Sequence, residues 1–169
     1  MRISIATRLW LPTLAITAVL VVTGTAVALR TGASVQHTAT ALQDAESKLY
    51  DAAIWRGLTQ SNVVRVVASL SSADPALGTQ LKPEIAGTTA AISEIQKRVD
   101  AAAAQPEERT ALDRIAEARK AYIAARDAAG KAKADGDADA AKAMLADKVR
   151  PAVTAYLAAQ QTYVDLQHD

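Results

Sequence analysis

Residues 112–129 read LDRIAEARKAYIAARDAA, and this stretch decides how the whole chain is understood. Leu112, Ile115, Arg119, Tyr122, Arg126 and Ala129 follow one another at steps of three and four. An α-helix lays residues so spaced along a single stripe, the side that a bundle buries. The stripe begins apolar, as a core demands, and then turns to Arg, Tyr and Arg. An unpaired charge on a buried stripe costs several kcal/mol, so two arginines one heptad apart need partners. The nearest acids, Asp113, Glu117 and Asp127, lie off the stripe. Two readings stay open on these residues alone. Either the arginines wait for an anion in a pocket, or they snorkel to the rim and pair with acids from other helices.

The surrounding chain has the size of one domain, 169 residues. Half of it is apolar, with no Phe and abundant alanine. Small helix-favouring side chains allow close helix packing, which predicts an all-α bundle. The formal charge of +1 and the lack of basic runs interleaved with aromatics argue against nucleic acid. Cysteine is absent, which excludes disulfides and thiolate chemistry. His37 and His168 are too far apart for a helical ligand pair, so no metal or other cofactor is expected. Neither a nucleophile–base pair nor a phosphate loop can be found, and nothing in the buried polar set suggests an enzyme.

Residues 1–8 carry Arg2 and Arg8 and no acid, and residues 9–29 carry no charge at all. Such a run spans about 31 Å as a helix, close to the hydrocarbon thickness of a bilayer. With Trp10 at its start and arginines before it, it reads as a transmembrane helix with a cytoplasmic N-terminus. A signal peptide cleaved after Ala26-Val27-Ala28 is the alternative, although its apolar core would be unusually long. Beyond Arg30, Leu42, Leu49, Arg56, Val63 and Leu70 recur every seven residues, with Ala45, Ala52, Thr59 and Val66 as a companion row. Four heptads predict a long first helix with one interface in its own bundle and another to a second copy. The lower part of that seam, Leu42, Ala45, Leu49 and Ala52, is expected to mediate dimerisation.

The first turn is expected at residues 71–78, around Asp74-Pro75. A second helix follows, weakened at its start by Gly78 and Pro83, and buries Ile85, Ile92, Ile95 and Val99. Thr88 and Thr89 fall between, so at least one hydroxyl should face the core, unless it bonds its own helix carbonyls. Gln105-Pro106-Glu107-Glu108 starts the third helix, expected to end near Gly130. A charged connection over residues 131–140 leads to a fourth helix marked by Leu145, Val149, Ala152, Tyr156, Ala159, Tyr163 and Leu166. Pro151 inside that row predicts a bend or a fresh start.

One anchor followed by four helices resembles the N-terminal half of a methyl-accepting chemotaxis receptor, specifically its antiparallel up-down four-helix-bundle ligand-binding domain. The resemblance implies residues 1–8 in the cytoplasm, a membrane helix at 9–29 and a periplasmic sensor domain over 30–169, held in the inner membrane. It implies signal transduction in chemotaxis, a homodimer through the first helix and a small organic carboxylate as ligand. In the branches that sense tricarboxylic-cycle acids, arginines of the first and third helices hold carboxylates, and hydroxyls of the second and fourth assist. Carried over, those roles fall on Arg65, Thr88 or Thr89, Arg119, Tyr122, Arg126 and Tyr156. Aromatic acids are an alternative, since Tyr122 and Tyr156 could stack on a ring; a purely structural anchored bundle is another.

The height of the bundle adds one expectation. Arg65 lies 35 residues beyond Arg30, about 52 Å along a continuous helix. If Tyr156 is level with Arg65, a return to the bilayer needs as many residues again, and only 13 follow it. The chain is therefore expected to be a fragment that stops roughly 20 residues short, at 1.5 Å per residue.

Overall fold

A computed structural model describes the backbone of residues 5–168 and the side chains of residues 38–74 and 76–168. Every regular element is helical, with no strand among the described residues. Helix α1 covers Ile5–Ser71, α2 Pro75–Ala102 and α3 Pro106–Ala134. The fourth rod is α4 (Ala138–Met144), a π-helical turn (Leu145–Val149) and α5 (Arg150–Leu166). Two compact units divide the chain, Met1–Asp44 and Ala45–Asp169, and the second holds the packed helices. The anchor expected at residues 9–29 lies outside the described side chains. Among the described residues, no helix is long and apolar enough to cross a membrane.

Cross-helix pairs fix the directions within the second unit. Asp51 meets Arg98, Asn62 meets Thr89 and Arg65 meets Glu84, so numbers rise on α1 as they fall on α2. Trp55 with Tyr163 and Thr59 with Gln160 set α1 against α5 in the same antiparallel sense. Lys48 reaches Glu108 and Ser69 receives Lys133, so α1 and α3 run parallel. This is the up-down order of a four-helix bundle, whose neighbours are joined by short turns.

The turns follow local chemistry. Asp74 caps α2 by accepting the Ala76 amide at 2.8 Å, and Pro75 occupies the first turn, where a missing N–H costs nothing. Helix α2 holds from Pro75 onward and carries Pro83 inside it, a firmer start than Gly78 and Pro83 suggest. Helix α3 runs past Gly130 to Ala134, a turn beyond the expected end. The extra turn is tied down twice: within it Lys131 pairs with Asp135 at 2.5 Å, and from outside the Ser69 and Ser72 carbonyls accept the Lys133 ammonium. The link to α4 shrinks to Asp135–Asp137, where Gly136 takes a φ of 83° that favours glycine. Asp137 then caps the Ala140 amide at 2.9 Å. A fresh α-helical start falls at the expected place, with Pro151 in the first turn of α5 directly after the π-turn. The Arg150 amide reaches back to Leu145, and this wider π-turn absorbs the proline's missing donor and bulky ring.

The core confirms the stripe on α3. Leu112, Ile115, Tyr122 and Ala129 are buried, with Arg119 and Arg126 half-buried among them. On α1 the buried set is Ala52, Trp55, Thr59, Asn62, Val63 and Val66. Ala52 therefore packs inside its own bundle, and Leu42 and Ala45 are exposed, so the lower heptad rows do not form one continuous outward seam. The physical reason is height: Lys48 already meets Glu108 at the α2–α3 turn, so Ala45 lies beyond that turn, while Ala52 and Trp55 are level with the packed rods.

Candidate ligand site

Four rods converge midway along the second unit on a recess of about 20 Å³. Helix α1 contributes Thr59, Asn62 and Val63; α2 contributes Thr89 and Ile92. Arg119, Tyr122 and Arg126 come from α3, and Tyr156 comes from α5. Five of the seven residues expected at a ligand site are thus brought together: Thr89, Arg119, Tyr122, Arg126 and Tyr156. The heptad between Arg119 and Arg126 places both guanidiniums on the recess side of α3.

The partners of these arginines bear directly on the two readings of the stripe. Arg119 donates through Nη2 to Ser93 Oγ at 3.0 Å and through Nη1 to Gln96 Oε1, both neutral groups of α2. Arg126 pairs with Asp127, its own chain neighbour, at 2.7 Å. Neither guanidinium is paired with an acid from another helix among the described residues. Arg119 keeps its full positive charge, and the Arg126 fork retains donors that Asp127 does not use.

Around these cations the recess is lined by polar groups with unfilled capacity. Thr89 Oγ1 donates to its own Ile85 carbonyl at 2.7 Å, so toward Asn62 it acts as acceptor, at 3.0 Å from Nδ2. That fixes the amide and turns Asn62 Oδ1 to the other side, where it has no partner. The Tyr122 and Tyr156 hydroxyls are buried and form no well-shaped hydrogen bond. Tyr156 lies close enough to Thr59 and Trp55 to be influenced by both. The two tyrosine rings stack at 6.0 Å with 23° between planes. Burial pushes the Tyr122 phenol up to about 12, against the opposing pull of Arg126. Burial also raises Tyr156, against Thr59 and Arg119. Both phenols therefore stay neutral at ordinary pH and are available as donors. Buried polar groups without partners cost roughly 1–3 kcal/mol each, so Asn62 and Tyr122, with the poorly bonded Tyr156 beside them, mark a place where structure is not optimised for its own stability.

The remaining two residues are placed elsewhere. Arg65 stands outside the recess: it pairs with the exposed Glu84 at 2.9 Å and bonds Ser61 Oγ at 2.9 Å, on the solvent side of the turn that sends Asn62 and Val63 inward. Thr88 bonds its own Glu84 carbonyl at 2.8 Å, one helical step away from Thr89. Thr59, Asn62 and Gln160 were not singled out from sequence. Thr59 did sit in the companion heptad row, and a polar residue in an apolar row is the signal that could have found it. Asn62 and Gln160 lie beside their rows and carried no such mark.

Residues 2–169 match the family described as a four helix bundle sensory module for signal transduction, and the chain belongs to that family. It is a sensory module of chemotaxis receptors rather than an enzyme family, and in membrane chemoreceptors it is typically periplasmic. No curated protein matches the chain.

Proposed function

We propose that this bundle is the periplasmic sensor domain of an inner-membrane chemoreceptor and binds a small organic acid with two or more carboxylates. The observation that carries this reading is Arg119: a half-buried guanidinium on a core stripe whose hydrogen-bond partners are neutral. A carboxylate at the recess would supply the missing charge. Arg119 and Arg126 offer planar forks that fit carboxylates, and charge-assisted bonds of this kind are worth about 1.5–3 kcal/mol. Tyr122 and Tyr156 would donate their phenolic protons to the same anion, and Asn62 would accept from a hydroxyl on the ligand.

The resting recess has room for about one water, too little for a carboxylate. A bound acid must therefore move a wall. In this reading the wall that moves is the last helix, which enters the recess through Tyr156, and a shift of about 1–2 Å is of the size that switching helices use. Binding and signal would then be one event.

The proposal includes a homodimer through α1, on a face other than the lower heptad seam. Tyr50, Ile54 and Val64 are exposed and fall within an arc of about 80° at 3.6 residues per turn. Gly57 and Ser61, also exposed, lie between them and leave room for close approach. Calorimetric titration of the full chain with succinate, malate, citrate and benzoate tests the ligand class. Binding that disappears in Arg119→Ala is the expected result. Benzoate binding in preference to every polyacid would favour an aromatic-acid sensor. No binding of any acid, with a lower melting temperature for Arg119→Ala, would leave a structural bundle.

A further inference from the structure

A second and much larger cavity adjoins the recess. It is an open cleft of about 1150 Å³ between the end of α1, the first half of α2 and the end of α3. Thr89 and Arg126 line both cavities, so the recess sits at the inner end of the cleft. A volume at the upper limit of ordinary small-molecule sites is more than a compact polyacid fills.

Its chemistry is ordered along its length. At the inner end stand Thr89 and Arg126. At the outer end stand Lys82 and Lys133, each seven residues further along its own helix. Because α2 and α3 are antiparallel, counting down from 89 and up from 126 leads the same way. Seven residues make about 10 Å of helix. Between these two levels the walls are largely apolar, formed by Val66, Leu70, Ile85 and Ala86 with Ser69 among them, and Ala90 continues the wall one residue beyond Thr89. Three cations and one acid line the whole cleft, and that acid, Asp127, is already engaged with Arg126. No acid pairs with Lys82 or Lys133 among the described residues. Lys133 is held in place by the Ser69 and Ser72 carbonyls, and its third proton is unspent.

We propose that this cleft binds a linear α,ω-dicarboxylic acid, with one carboxylate on Arg126 at the recess, the hydrocarbon chain against the apolar walls and the second carboxylate between Lys82 and Lys133. The assignment rests on the organic-acid reading of the recess and sharpens it to one ligand class. An extended chain advances about 1.2 Å per bond, as the polypeptide backbone itself does, so a ligand spanning the roughly 10 Å between the two backbone levels, with each cation meeting it at its own height, is a diacid of about eight to ten carbons. Succinate is too short to reach both ends. A monoacid of the same length gains the walls and loses the outer cations. Citrate has the charge without the chain.

The full chain, reconstituted in lipid nanodiscs with empty nanodiscs as the blank, is titrated calorimetrically with butanedioate, hexanedioate, octanedioate, decanedioate, octanoate and citrate. The expected affinity peaks at octanedioate or decanedioate, at least tenfold above butanedioate and above octanoate. Lys82 is exposed and outside the core, so Lys82→Gln should fold normally. That change should remove most of the octanedioate advantage over octanoate. Ala90→Phe, on an exposed position of the same wall, should weaken both eight-carbon acids at least tenfold. Citrate or butanedioate binding tightest, unaffected by either variant but lost in Arg119→Ala, would overturn the cleft assignment and leave the recess as the acid site. Octanedioate binding unchanged in both variants would overturn it as well. Absence of binding by every acid would overturn the cleft and the organic-acid reading together.

Discussion

The middle of the bundle and its α2–α3 end treat buried polarity in opposite ways. At the turn between α2 and α3, Glu108 is 5% exposed and fully engaged. Its Oε2 accepts the Ala104 and Gln105 amides at 2.7 and 2.9 Å, and its Oε1 accepts Lys48 at 2.8 Å and Gln167 at 3.2 Å. One carboxylate thus closes the start of α3, fastens it to α1 and reaches the residue that follows α5. Burial alone would raise its pKa, but these donors outweigh that cost and hold the acid down at about 2. Half the bundle away, Asn62 and Tyr122 bury oxygens with no partner, Tyr156 has only poorly shaped contacts with Thr59 and Trp55, and Arg119 holds a charge with no counter-charge. A satisfied knot contributes stability. An unsatisfied recess is a cost tolerated where a ligand will supply what is missing.

The sharpest way to break this contrast is to cut the recess at its cation. Arg119→Ala should lower affinity for the bound acid by about 2–5 kcal/mol, thirtyfold to several thousandfold, in calorimetry. The same protein without ligand should melt within about 1 kcal/mol of the parent, because Ser93 and Gln96 are only partly buried and water replaces the guanidinium. A large loss of stability with unchanged affinity would place Arg119 among the structural residues.

Glu108 should behave in the reverse sense. Its folded pKa lies below the ordinary 4.5, so its contribution is complete above about pH 4.5 and fades as pH falls toward about 2. A shift of that size corresponds to about 3 kcal/mol. Glu108→Gln should cost up to that amount at neutral pH in denaturant melts, flatten the acid limb of the stability profile and leave acid binding intact. An unaltered acid limb would mean that the knot contributes little.

Smaller effects refine the same comparison. Tyr122→Phe removes a buried hydroxyl without a partner, so the empty protein should be as stable or slightly more so. Affinity should fall about tenfold if that hydroxyl donates to a carboxylate, a bond worth about 1.5 kcal/mol. Arg65→Ala should be the quietest change. Its ion pair with the well-exposed Glu84 is worth at most about 1 kcal/mol, and ligand affinity should not move. A marked loss of affinity in Arg65→Ala would draw the site outward past α2.

Much of the fold was legible in the chain. Three-four spacing on α3 marked Leu112, Ile115, Tyr122 and Ala129, and these are buried. Asp74-Pro75 and Gln105-Pro106 marked helix starts, because capping and proline tolerance are local properties of a few residues. The errors fall where a remote partner overrode local pattern. Gly130 predicts a helix end, but Lys133 finds carbonyls at the end of α1 and carries α3 another turn. Ala45 and Ala52 share a heptad row, yet the α2–α3 turn is met at Lys48, so only Ala52 is level with the other helices and buried.

The site divides in the same way. Periodicity put Arg119, Tyr122 and Arg126 on one face of one helix, because the 3.6-residue turn fixes that geometry regardless of context. Periodicity could not say what faced them. That Arg119 meets neutral Ser93 and Gln96 rather than an acid depends on the register of α2 against α3. That Asn62, Tyr122 and Tyr156 share one recess, while Thr88 and Arg65 stand outside it, depends on the rotation of four rods about their own axes. Helix rotation and register are set by the packing of residues far apart in the chain, and no window of sequence contains that information.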